Sequence, residues 1–301
     1  MLKIAWSPVY QYELPKGHRF PMEKYQLIPE QLLYEGTIQQ EQLFHPGKLD
    51  EETILLTHTA AYWNKLQTLS LSRKEIRDIG FPVTKELVER GRYIAQGTIN
   101  CARYAIQYGI SLNLAGGTHH AYAHRGEGFC VYNDFAIASN YLLKERAVSK
   151  ILIVDLDVHQ GNGNAHIFQD EPRVFTFSIH GERNFPLRKE KSDLDIGLPD
   201  GTTDATYLRT LQETLPRLIQ QENPDLIFYL AGVDVLEVDK LGRLSLTVEG
   251  CKERDRIVFT LAHQFHIPIA VSMGGGYSDH IKTLIDAHAN TFRIAKSIFD
   301  G

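Results

Sequence analysis

Short apolar runs alternate with longer amphipathic stretches along this 301-residue chain, and that alternation constrains its fold more than any other feature. Residues 2–6, 53–56, 112–115, 151–156, 174–179, 226–231 and 268–273 have the length and apolar content of buried strands, and several are rich in Ile and Val. Between them, residues 86–108, 133–143, 207–221 and 248–265 carry helical periodicity. Strand and helix in alternation predict an α/β fold, with a mostly parallel sheet covered by helices on both faces. No Pro/Gly/Ser-rich linker and no internal repeat divides the chain, so residues 1–301 read as one domain.

Composition excludes several classes of function. The formal net charge is -5, which offers no general grip on nucleic acid. The longest apolar runs, such as residues 226–233, are too short to span a bilayer, so no membrane association is expected. Residues 1–8 are too short and too interrupted to act as a signal peptide. The three cysteines form no CxxC pair, and their odd number argues against a disulfide framework. A reducing compartment, the cytoplasm, fits this usage.

The residues suited to chemistry stand directly after the expected strands: residues 116–120, 157–162, His180, Asp234 and 274–277. Open parallel sheets bind ligands at the carboxyl ends of their strands. Asp155, Asp157 and His159 are spaced by two, and in an extended chain that spacing aims them at one face. Asp157, His159 and Asp234 could then give one metal two carboxylates and an imidazole, leaving a position for water and substrate. Zinc suits such a mixed set, and ferrous iron or manganese would accept it. An isolated DxDxH more often reads as helix capping by the aspartates and a core histidine; the separate Asp234 at another strand end favours the metal. His119 and His120 follow two glycines and suit proton transfer, with Asp155 and Asn162 available to fix their tautomers. Gly274-Gly275-Gly276-Tyr277 could bring a phenol over the metal as an oxyanion donor.

Together these segments resemble the successive motifs of the histone deacetylase family. They are Gly116-Gly117-Thr118-His119-His120, Gly128-Phe129-Cys130-Val131-Tyr132-Asn133-Asp134, Asp155-Leu156-Asp157-Val158-His159-Gln160-Gly161-Asn162-Gly163, Ala231-Gly232-Val233-Asp234 and Gly274-Gly275-Gly276-Tyr277. The resemblance runs from about Tyr10 to Ile281. Gly17-His18-Arg19-Phe20-Pro21 and Asn184-Phe185-Pro186 look closest to the class IV branch and its bacterial relatives. It implies the three-layer arginase/deacetylase sandwich and zinc-dependent removal of an acetyl or longer acyl group from acyl-lysine, in a peptide or protein. By position, it makes Asp157, His159 and Asp234 the zinc ligands, His120 the general acid/base and His119 its electrostatic neighbour, oriented by Asp155. Tyr277 becomes the oxyanion donor. Gly128, Phe129, Phe185 and Leu241 line the substrate channel, and Arg19 belongs to an internal cavity behind the zinc. Asp155, Asp157, His159, Ser178 and Ile179 surround a structural potassium or sodium ion.

Two departures matter. Asn162 stands where class I enzymes carry aspartate, and an amide adds no charge to strengthen His120 as a base. The loop Ile79-Gly80-Phe81-Pro82 lacks the rim aspartate that clamps a peptide backbone, which leaves room for a small acylated amine such as an acetylpolyamine. A non-catalytic acyl-amine binder and a two-manganese ureohydrolase are the remaining rivals. The charged segment 181–206 is expected at the rim of the site.

Overall fold

The computed structural model describes residues 2–300 and contains an eight-stranded sheet in which every neighbouring pair is parallel. The strands are β1 (Lys3–Ala5), β2 (Leu43–Phe44), β3 (Ile110–Asn113), β4 (Ile151–Asp155), β5 (Val174–Gly181), β6 (Leu194–Leu198), β7 (Leu226–Leu230) and β8 (Ile269–Ser272). Their order across the sheet is β2-β1-β3-β8-β7-β4-β5-β6. The central strands β3, β4, β7 and β8 are buried at every position, so they read as continuous apolar runs.

Helices cover the sheet; α3 (Ala60–Gln67) and α4 (Arg73–Ile79) are short. The longest, α5 (Lys85–Tyr108), packs on β3, β8 and β1 and continues into a row with α6 (Asp134–Lys144) and α7 (Asn162–Phe168). A second row joins α1 (Lys24–Tyr34), α10 (Ile281–Phe299), α9 (Val248–Gln264) and α8 (Asp204–Glu222). This is the α/β sandwich that the alternating pattern predicts.

Three expectations need correction. Residues 53–56 are not a strand: Glu51–Ile54 forms a short helix, α2, begun by Asp50, whose carboxylate accepts from the Thr53 amide at 2.7 Å. That N-cap, with Glu51 and Glu52 in the first turn, outweighs the apolar run behind it. The edge strands β2 and β6 escape sequence reading, because one has two residues and the other interrupts its apolar positions with Asp195 and Gly197 at the sheet's edge. Consequently segment 181–206 is only partly rim: residues 183–187 reach the mouth of the site, while 194–198 pair with β5.

The register positions the chemistry. Asn113 pairs with Ser272, Ser272 with Leu230, Leu230 with Asp155, and Asp155 with Ser178. Adjacent strands therefore end level with one another, and the loops after β3, β8, β7 and β4 leave the sheet side by side.

Candidate active site

Each of those four loops is held by buried polar groups. After β3, Gly116 and Gly117 take positive φ, and the backbone then turns so that the amides of Gly117 and Thr118 donate to the Asp134 carboxylate at 3.1 and 2.7 Å. Asp134 stands at the start of α6, where Asn133 caps the helix and also donates to the Ala121 carbonyl. The loop is thus clamped on both sides of His119 and His120, whose rings lie 4.0 Å apart.

After β4, Asp157 and His159 turn towards the loop that follows β7. His159 Nδ1 lies 3.0 Å from Asp157 Oδ1 and 3.1 Å from Asp234 Oδ2, and all three side chains are buried. One donor atom from each falls within 4.8 Å of the others. Burial raises the Asp234 carboxyl to about 7, with the Asp157 charge adding to the shift. Burial opposes a charged His159, but the bonds to Asp157 and Asp234 outweigh it and raise the imidazole to about 10. The two carboxylates thus call for a positive charge between them. One nitrogen and two oxygens, with His159 also facing the mouth cavity, suit a single catalytic divalent ion.

The glycine loop after β8 closes over this cluster. Gly275 donates its amide to Asp157 Oδ2 at 2.8 Å, and a Cβ there would collide with the carboxylates of Asp234 and Asp157. Gly275→Ala should therefore lower metal affinity by about tenfold or more, as disturbed ligand support commonly does. Metal content after dialysis, with circular dichroism to confirm folding, checks this; unchanged affinity would show that the carboxylates move aside freely. Tyr277 follows, its amide bonded to Asp239 Oδ2 at 2.6 Å. Its ring lies 6.3 Å from that of His159, and its hydroxyl bonds no group among the described residues.

The histidines have defined partners. His119 Nδ1 meets Asp155 Oδ2 at 2.7 Å, and His120 Nδ1 meets Asn162 Oδ1 at 2.6 Å. The Asn162 amide nitrogen donates to the Tyr122 hydroxyl at 3.0 Å and to Glu127 at 3.3 Å, and Tyr122 donates onward to Glu190. Those acceptors orient the amide with its oxygen towards His120. The proton of a neutral His120 accordingly sits on Nδ1, leaving Nε2 as the basic nitrogen. Burial, reinforced by the charges of His119 and His159, holds His120 well below its ordinary range, so it is neutral at pH 7. Glu127 thus stands one bond beyond Asn162, and Glu190 two bonds beyond it through Tyr122.

The mouth is a cavity of about 470 Å³ lined by His120, His159, Gly128, Phe129, Phe185, Leu241 and Tyr277, among others. Gly128 has φ +56°, and a Cβ there would run into the His120 ring. The Phe185 ring stands edge-on to His120 at 4.9 Å, and Phe129 flanks Tyr277 at 5.7 Å. Ser178 and Ile179 are buried on β5 beside Asp155, but the Ser178 hydroxyl is engaged by His180 Nδ1 at 2.9 Å.

Arg19 is not in an internal cavity. It is exposed at the mouth with its guanidinium 5.0 Å from the centre of the Phe129 ring. The His18 ring, bonded to the Gly80 carbonyl, turns the chain so that Phe20 faces inward and Arg19 outward. The cation behind the cluster is instead Lys24, which is fully buried and donates to the Gly274 carbonyl at 3.3 Å. Burial lowers it to about 8, opposed by the charges of Asp234, Asp157 and Asp239. The mouth also carries an acid that the Ile79–Pro82 reading omits: Asp78, one residue earlier, which is ion-paired with Lys74 at 2.5 Å.

Sequence reasoning also missed Arg254 of α9. It is fully buried, and one guanidinium nitrogen donates to both the Leu156 carbonyl at 3.2 Å and the Gly232 carbonyl at 2.5 Å. Those carbonyls precede Asp157 and Asp234, so a single side chain bridges the two loops bearing the cluster.

Comparison with known proteins covers most of the chain. The family model described as histone deacetylase domain matches residues 18–292. An uncharacterized protein of Picosynechococcus sp. is 43% identical over 98% of this chain and 99% of its own length. Acetoin utilization protein AcuC of Bacillus subtilis is 29% identical, covering 99% of this chain and 83% of that protein. Histone deacetylase 2 of Arabidopsis thaliana is 29% identical, covering 92% and 74%. A crystal structure of a histone deacetylase homolog complexed with SAHA superposes with a TM-score of 0.83 at 24% identity, covering 99% of this chain and 88% of that one.

Proposed function

The chain belongs to the histone deacetylase family, and from that membership and its site we propose that it is a zinc-dependent amidohydrolase that removes an acyl group from acyl-lysine. The observation that carries this reading is the meeting of three kinds of group at one mouth: a three-donor metal cluster, a neutral imidazole and a phenol with a free hydroxyl.

A divalent ion held by Asp157, His159 and Asp234 would polarise the amide carbonyl and acidify the attacking water. His120 takes the water proton on Nε2 and returns it to the leaving lysine amine, while Asn162 holds Nδ1–H. His119, paired with Asp155, contributes positive charge 4.0 Å from the His120 ring. Tyr277 donates its hydroxyl hydrogen to the carbonyl oxygen as that oxygen gains charge. Phe129 and Phe185 flank the alkyl stem, with Gly128 and Leu241 completing the channel. The backbone around Asp155, Asp157, His159, Ser178 and Ile179 is assigned to a structural monovalent cation. A ureohydrolase with two ions fits poorly, because one histidine and two aspartates provide donors for one ion.

Replacing Asp234 with Ala should remove both the metal and turnover of an acetyl-lysine peptide. Metal analysis of the purified protein and a deacylation assay test this together. Full activity in metal-free protein would end the reading.

A further inference from the structure

We propose that the mouth selects acyl-lysine flanked by acidic residues, an inference that rests on the acyl-lysine reading above and narrows it. Four arginines line the mouth: Arg19, Arg77, Arg183 and Arg243, all exposed. Among the described residues only two acids share it, Asp78 and Glu127. Both are engaged: Asp78 by Lys74 at 2.5 Å, and Glu127 by the Asn162 amide at 3.3 Å with Arg125 at 3.8 Å. Arg243 has Asp200 at 3.2 Å. Arg19, Arg77 and Arg183 have no carboxylate partner within 4.0 Å among the described residues. The chain as a whole carries a net charge of -5, so this basic ring runs against its overall balance.

A cleft lined by one sign of charge concentrates ligands of the other. Guanidinium groups present the planar fork that carboxylates match. The arginines also stand on four separate segments, two of them fastened together: Asn184 donates to the Leu241 carbonyl at 2.7 Å and accepts from the Arg243 amide at 3.2 Å. Charges carried on separate, anchored segments match carboxylates spread along an extended peptide better than one compact anion. Phe185 and the 93% exposed Leu187 add apolar lips beside them, suited to a hydrophobic neighbour of the acylated residue. The same ring repels a cationic acylpolyamine and a lysine-rich tail.

The test uses three acetyl-lysine peptides of equal length, flanked by Asp/Glu, by Ser/Gly or by Lys/Arg, with the metal-loaded protein. Binding is read by fluorescence anisotropy and hydrolysis separately by product release. At low ionic strength the acidic peptide should bind on the order of tenfold more tightly than the basic one. The advantage should shrink at about 0.5 M salt, where screening is short-ranged. The double variant Arg77→Glu/Arg183→Glu, at exposed positions, should reverse the order while keeping the wild-type melting temperature. Equal binding of all three peptides, preference for the basic one, or an order unmoved in the folded variant would overturn the proposal. Absence of hydrolysis with any peptide, neutral one included, would count against the acyl-lysine chemistry instead, since the binding order is measured independently of turnover.

Discussion

Tyr277→Phe should lower kcat about a hundredfold while leaving KM nearly unchanged. The Tyr277 hydroxyl has no partner among the described residues, so it is free to donate to substrate. Burial, together with the charges of Asp157 and Asp234, pushes the phenol well above its ordinary range, which keeps the proton in place at working pH. Phe20 and Phe129 pack on the ring at 5.8 and 5.7 Å, and the Tyr277 amide is anchored on Asp239, so a phenylalanine should occupy the same position. Removal of a single oxyanion donor typically costs a factor of 10²–10³ in turnover. An interaction made chiefly in the transition state leaves substrate binding little changed. Steady-state kinetics on one acetyl-lysine peptide decides the matter. Near-normal turnover would make Tyr277 a wall of the channel and nothing more.

The parts of the site that were legible in the sequence share one property: they lie where a buried strand gives way to glycine or to a polar run. Asp157, Asp234 and Tyr277 each follow a continuous apolar segment within a few residues, and parallel topology brings such positions to one edge. The supporting groups have no such mark. Asp134 sits at the start of an amphipathic helix, where an acid reads as ordinary favourable placement near the helix dipole; its bonds to Gly117 and Thr118 appear only in three dimensions. Lys24 opens α1 and looks like a solvated charge, yet it is fully buried behind the glycine loop. Arg19 shows the reverse error, because resemblance carried over a position whose side chain this chain turns outward. The short helix α2 was hidden by the apolar composition of residues 53–56, although Asp50 three positions earlier is the capping signal that would have revealed it. Local pattern therefore located the metal-ligating cluster and the loops beside it, while long-range ion pairs and caps determined how they are held.

Arg254→Met should have the largest effect on the scaffold. In the sequence, Arg254 lies in Glu253-Arg254-Asp255-Arg256, a run that resembles a solvated helix face. In the fold, Arg254 and Asp255 are both fully buried and paired at 2.8 Å. Asp255 also accepts from the Tyr229 hydroxyl at 2.5 Å and from Thr291 at 2.6 Å, which joins β7, α9 and α10. Methionine fills similar volume but leaves the Asp255 carboxylate without its cation and removes the donor shared by the Leu156 and Gly232 carbonyls. Breaking one side of a buried ion pair costs roughly 3–5 kcal/mol. Chemical denaturation should register that loss. Metal affinity should fall as well, by about ten- to hundredfold, the usual consequence of disturbing groups that orient ligands. The double variant Arg254→Met/Asp255→Asn separates the two effects. Removing the stranded charge should recover much of the stability, whereas the loops before Asp157 and Asp234 still lack their bridge, so metal affinity should stay low. Recovery of both together would mean that Arg254 serves only to neutralise Asp255, and that the metal loops hold their geometry without it.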